Sequence, residues 1–131
     1  MQEVTLPGGL RVEVHLRAED TGGQLCLLVD HPPPGWVLPA HRHRNEAETI
    51  HVVSGRFELT VDGDVREMGP GDTEHVPRGV VHAGRNVGDE PGHRVLVFTP
   101  GGIEGWFLEV GVSPQTALEA AQRYGWEFVG G

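Results

Sequence analysis

Residues 35–55 read GWVLPAHRHRNEAETIHVVSG. His41 and His43 stand two apart in a segment rich in extended-structure formers. In a strand, side chains at i and i+2 point the same way, so both imidazoles can reach one point on one face. Glu48 opens the next apolar run, 48–54, which stops at Gly55. Its carboxylate can swing toward the same point. His82 follows the turn Pro77-Arg78-Gly79 and can arrive from a neighbouring strand. A lone His-x-His is commonly a surface pair and a lone buried histidine a satisfied core residue. The spacing of the whole set is what points to a metal site.

Working outward, short apolar runs alternate with turn residues. Leu10, Val12 and Val14 alternate with polar residues after Pro7-Gly8-Gly9, the pattern of a half-buried strand. Residues 24–30 form a second strand, broken by Pro32-Pro33-Pro34-Gly35. Phe57, Leu59 and Val61 alternate, then Asp62-Gly63 signals a hairpin. Extended runs at 65–68, 73–76, 80–86 and 93–99 follow, each bounded by Gly or Pro. One helix is expected, at about 113–124, with Ser113 as N-cap, Pro114 in the first turn and Gly125 as the stop. Leu118, Ala121 and Tyr124 would share its packed face. About ten short strands predict an all-β jelly-roll barrel with a short C-terminal helix.

Composition narrows the function classes. The 131 residues suit one domain, with a barrel core over about 24–100, and no linker or internal repeat is visible. Gly 20 and Pro 10 are high counts, but without a fixed period they serve turns rather than a collagen helix. The formal net charge of -9 leaves no basic stripe for nucleic acid. No apolar run approaches the ~18 residues needed to span a bilayer. The start Met1-Gln2-Glu3 lacks the basic and apolar regions of a signal peptide, so a cytoplasmic protein is expected. The single cysteine, Cys26, excludes an intrachain disulfide and reads as a small buried hydrophobe.

The chain resembles the cupin superfamily. The first cupin motif runs Gly, five residues, His-x-His, three or four residues, Glu, six residues, Gly; Gly35, His41, His43, Glu48 and Gly55 stand at that spacing. The second runs Gly, five residues, Pro-x-Gly, two residues, His, three residues, Asn; Gly71, Pro77, Gly79, His82 and Asn86 match it. The tail looks like that of small bacterial cupins grouped with quercetin dioxygenases. The resemblance implies a double-stranded β-helix holding one divalent transition metal with His41, His43, Glu48 and His82. Glu46 is a rival carboxylate, but it falls in the turn at the wrong distance from Gly55, where solvent exposure is expected. Gly35, Gly55 and Gly79 are expected at turn angles that a Cβ would disfavour, and Asn86 in a turn network.

Three imidazoles and one carboxylate suit iron, manganese, nickel, cobalt, zinc or copper. Open coordination positions would take water, dioxygen or a chelating small molecule. By resemblance, Glu48 is the candidate catalytic base and dioxygenation of a small oxygenated organic molecule the leading reaction. A redox-neutral isomerase, cyclase or lyase, and a non-catalytic binding or sensing module, are the alternatives. Phe57, Leu59 and Val61 are expected on the inner face, with Phe98 and Trp106 closing one mouth. His51 and His75 read as strand-surface or core residues with a supporting role as the alternative; His15, His31 and His93 fit no ligand pattern. A homodimer is expected, with Thr49, His51 and Val53 on an outward strand face.

Overall fold

The structure is a computed structural model and describes residues 1–130. It contains eleven strands: β1 Gln2–Thr5, β2 Arg11–Leu16, β3 Cys26–His31, β4 Val37–His43, β5 Ala47–Ser54, β6 Phe57–Val61, β7 Asp64–Met68, β8 Thr73–Val76, β9 His82–Asn86, β10 His93–Thr99 and β11 Trp126–Phe128. They form two antiparallel sheets, ordered β1-β2-β3-β10-β5-β8 and β11-β4-β9-β6-β7. The two facing sheets make the double-stranded β-helix that the strand pattern and the motifs led us to expect.

The period-2 alternation of the sequence maps onto the two faces of each sheet. Cys26, Leu28 and Asp30 of β3 are buried, as are Glu48, Ile50 and Val52 of β5 and Arg94, Leu96 and Phe98 of β10. Register stacks these residues in layers: Glu48 opposes Phe98 and Phe98 opposes Cys26, Ile50 opposes Leu96 and Leu96 opposes Leu28, and Arg94 opposes both Val52 and Asp30. Phe57, Leu59 and Val61 are buried in the facing sheet, as the sequence predicts. Each such side chain contributes roughly 1.5–3 kcal/mol by leaving water.

Turn chemistry agrees with the sequence. Asp62 and Gly63 both have positive φ, 48° and 84°, the geometry a two-residue β6–β7 hairpin requires. Gly35, Gly55 and Gly79 all have positive φ. At Gly55 space adds to the constraint, since a Cβ there would lie 3.0 Å from Gly92 Cα. Asn86 is buried and donates to the carbonyls of Pro32 and Glu90, both at 3.0 Å, while its Oδ1 accepts from Gly88 N–H at 2.9 Å. It closes loops.

The C-terminal region departs from expectation in three ways. A helix, α1 Glu104–Val112, precedes the expected one. Its apolar side chains are spread around the axis, so no stripe announces it; Phe107 and Val110 are buried on the barrel. The expected helix is a 3-10 turn, Pro114–Thr116, leading into α2 Ala117–Arg123. Within it Leu118 is 78% exposed rather than packed. The inward stripe is Ala117, Ala120, Ala121 and Tyr124, whose i, i+3, i+4, i+7 spacing is the better helical fit. Third, β11 follows Gly125 and pairs with β4, setting Trp126 opposite His43 and Phe128 opposite His41.

Candidate metal centre

His41 and His43 lie two apart near the end of β4, and both face inward. His82 begins β9, the register neighbour of β4, directly opposite His41. Glu48 comes from β5 in the other sheet. The candidate centre therefore bridges the gap between the sheets, with three imidazoles on one side and a carboxylate on the other. Potential ligand atoms of His41, His43 and His82 all lie within 4.8 Å of one another, and all three residues are buried. Glu48 Oε1 sits 3.2 Å from His82 Nε2 and 3.3 Å from His43 Nε2. All four residues singled out in the sequence are thus brought together.

The hydrogen-bond pattern tests whether these residues suit a cation. His41 Nδ1 lies 2.8 Å from the Pro39 carbonyl and His82 Nδ1 3.1 Å from the Val80 carbonyl. A carbonyl only accepts, so each Nδ1 carries a proton; His41 Nε2 then presents a lone pair, while His82 Nε2 meets Glu48 Oε1 at 3.2 Å. This is how backbone carbonyls orient metal-ligating histidines. His41 Nε2 and both ring nitrogens of His43 are buried without a hydrogen-bond partner. Glu48, ionised, is also an acceptor. The unpartnered nitrogens of His41 and His43 thus lie with His82 in one cluster beside the ionised Glu48 carboxylate, an arrangement that one positive ion would satisfy. Burial, reinforced by the charge of His82, pushes His41 down to about 3, so no proton competes for its lone pair near neutral pH. Burial alone would raise the Glu48 carboxyl. Contacts from His43 and His82 outweigh it and hold the group well below the usual carboxylate range. The donor set fits a divalent transition ion.

Aromatic rings wall the centre. Trp126 lies 4.5 Å from His43 and 5.1 Å from His41, ring centre to ring centre, and Phe98 lies 5.4 Å from His43. Trp106 of α1 packs 4.8 Å from Trp126. Phe98 and Trp106, expected to close one mouth, both line the cavity at this centre. The sequence reading missed Trp126, the residue between them. Its signal was the alternation Trp126-Glu127-Phe128 just after Gly125, a short strand pattern.

Glu46 corrects another expectation. It is 4% exposed, not solvated, and Oε1 has no partner. Burial, then the charges of Glu48 and Glu104, raise it to about 7. The Arg44-Asn45 turn folds this side chain inward, which sequence position alone does not reveal. His51 and His75 lie on the outer face, where His51 Nδ1 meets Thr73 Oγ1 at 2.7 Å and His75 Nδ1 meets Thr49 Oγ1 at 2.9 Å. His15 and His31 bracket Glu13, at 2.9 and 2.6 Å. Cys26 is fully buried, and burial, with Glu104 beside it, pushes its thiol up to about 12.

A cavity of about 70 Å³ reaches this centre, lined by His41, His43 and Glu48 and walled by Phe98, Trp106 and Trp126. It shares Leu6, Leu10, Trp36, Leu38 and Trp106 with an outer cavity of about 430 Å³.

Comparison with known proteins found a family model, described as Cupin domain, matching residues 28–98. The chain is 30% identical over 93 residues to quercetin 2,3-dioxygenase of Bacillus subtilis (strain 168), covering 71% of this chain and 27% of that protein. It is 37% identical over 70 residues to germin-like protein 3-8 of Oryza sativa subsp. japonica, covering 50% and 31%. The chain thus spans about a third or less of the length of these two curated relatives. Among solved structures, KdgF from Halomonas sp. superposes with a TM-score of 0.71 at 19% identity, over 80% of this chain and 91% of that one. An uncharacterized conserved protein with a double-stranded beta-helix domain from Klebsiella pneumoniae superposes with a TM-score of 0.62 at 30% identity, over 72% and 80%.

Proposed function

The chain belongs to the cupin family, and from that premise we propose that it is a metal-dependent enzyme that dioxygenates a small oxygenated organic molecule. The observation that carries this reading is the buried cluster of His41, His43 and His82, with the ring nitrogens of His43 and Nε2 of His41 unpartnered, beside the Glu48 carboxylate. These four residues would hold the ion. A divalent iron, manganese, nickel, cobalt, copper or zinc ion there would supply a Lewis acid and, for the redox-active metals, electron exchange with substrate and dioxygen.

The chain's own residues would do the rest. Glu48 Oε2 has no hydrogen-bond partner among the described residues, so it would be the acceptor for a proton from a substrate enol or phenol. His41 and His82 are oriented by the Pro39 and Val80 carbonyls. Phe98, Trp106, Phe107 and Trp126 exclude water from the reacting end of the cavity. The similarity to a protein named as a quercetin dioxygenase supports oxygen chemistry over the other metal-dependent reactions. The reading extends to a single cupin domain acting as a homodimer, paired through the outer face of the larger sheet, where Val53 is 44% exposed beside Thr49 and His51.

Metal content by elemental mass spectrometry, on untagged protein and on His43→Ala, tests the proposal. Near one equivalent in the wild type, lost in the variant, is the expected result. No metal after reconstitution at neutral pH would overturn it. Oxygen uptake with enol substrates then tests dioxygenation. Turnover that persists under strict anaerobiosis would replace it with isomerase, cyclase or lyase chemistry. Tight ligand binding without product would replace it with a sensing role.

A further inference from the structure

We infer that the cavity beside the histidine cluster is a carboxylate site, in which Arg94 Nη1 receives an anionic oxygen of a small acid whose other oxygen function faces Glu48 and the three histidines. This deepens the reading above, from which it takes the metal centre.

The inference starts from how completely Arg94 is held. Its side chain is 8% exposed, and Asp30, 2% exposed, accepts from Nε at 2.9 Å and from Nη2 at 2.6 Å. The rings of Trp36 and Phe57 lie 4.8 and 4.9 Å from its central carbon. Two aromatic faces and one carboxylate therefore occupy most of the guanidinium. Nη1 is left without a hydrogen-bond partner among the described residues, and Arg94 and Asp30 both line the cavity that reaches His41, His43 and Glu48.

Stability alone gives little reason for a pair like this. Burying two charges carries a large desolvation cost, and apolar residues of similar volume often do as well or better. Trp36 is half-buried and also borders the outer cavity. What the pair offers is a guanidinium locked in one orientation with a donor to spare, the preferred partner for a carboxylate oxygen.

Charge and size define the ligand. The charged groups lining the cavity are Asp30, Glu48 and Arg94, which sum to one negative charge. A divalent ion at the histidines reverses that to one positive charge, which a single carboxylate neutralises. Along β10, Arg94 is four residues from Phe98, the register partner of Glu48, or about 13 Å of strand. The Arg94 and Glu48 side chains both line the one cavity, which shortens the span the ligand must cover, and the acid group and the oxygen facing the centre are separate functions of it. The inner cavity of about 70 Å³ admits only a small head. Any apolar remainder lies past Trp36 and Trp106 in the outer cavity of about 430 Å³.

The test uses zinc-reconstituted protein, which binds without oxygen chemistry. Calorimetry would compare pyruvate, 3-hydroxybutanoate and 4-oxopentanoate, each against its primary amide. At least one acid is expected to bind at least tenfold more tightly than its amide. In the double variant Asp30→Leu with Arg94→Met, which strands no charge, that ratio should fall to near one while zinc content stays unchanged. Should the double variant not fold, Arg94→Lys replaces it, with at least a threefold fall in the ratio expected. Equal binding of acid and amide throughout, no acid bound, or a wild-type ratio in either variant would overturn the inference. If the protein takes up no metal yet keeps an Arg94-dependent acid preference, the metal reading fails and this one stands.

Discussion

At the residue scale, three buried groups around the candidate centre set how the metal-free protein responds to acid. His41 is held at about 3, against 6.5 for a free imidazole. Between those values the unfolded chain binds a proton that the native ring refuses, so stability falls as pH falls through that window. Glu48 acts in the same direction: its carboxyl, depressed by His43 and His82 despite burial, contributes stability above about 4.5 that is lost at lower pH. Glu46 works the other way. Burial and its acidic neighbours raise it from 4.5 to about 7, so across that window the native state binds the extra proton and stability falls as pH rises. His41 and Glu46 therefore oppose each other between about 4.5 and 6.5. Glu46→Gln should remove the opposition. We expect it to exceed the wild type in stability at pH 8, and to gain stability from pH 4.5 to 6.5 with a slope approaching about 1.4 kcal/mol per pH unit. Urea denaturation in chelator across that range would check this, and coincident curves for the two proteins would contradict it.

At the element scale, the site depends on strands distant in sequence. β4 and β5 are joined by the short turn 44–46, yet they belong to different sheets. That crossing sets Glu48 opposite the histidines. β11 closes the centre from the far end of the chain, with Trp126 against His43 and the α1 residue Trp106. The indole nitrogen of Trp106 donates to the Ala117 carbonyl at 3.1 Å and ties α1 to the start of α2. Trp126→Ala should cost about 3–5 kcal/mol, as large-to-small changes in cores do. Leu118→Ala, on the exposed side of α2, should change stability by less than about 0.5 kcal/mol. Denaturant midpoints of the two variants would distinguish the helix face seen here from the one that Leu118, Ala121 and Tyr124 suggest.

At the scale of the whole molecule, two sheets enclose the histidine–carboxylate cluster and the Asp30–Arg94 pair and expose a histidine-bearing face. No described helix is long and apolar enough to cross a membrane. The larger sheet ends in edge strands β1 and β8, whose free backbone groups invite pairing. Sedimentation equilibrium at micromolar concentration should give twice the 14.2 kDa chain mass. A species of single-chain mass would contradict the proposed dimer.

Whatever depends on local spacing could be read from the chain alone. Period-2 alternation made the strands legible, Asp62-Gly63 made the hairpin legible, and His41, His43, Glu48 and His82 stood out because their motif intervals match a known pattern. Each of these signals reflects the constraints of a short segment on its own. The tertiary structure alone decided the rest. The inward turn of Glu46, Trp126 as the wall of the centre, and the Asp30–Arg94 pair facing the same cavity all depend on strands that meet only after folding. Asp30 and Arg94 are 64 positions apart, and nothing near either in the chain marks it as buried. α1 stayed hidden for a related reason. Its apolar residues meet the barrel and other helical segments on several sides, so burial comes from its surroundings and leaves no one-sided stripe to read.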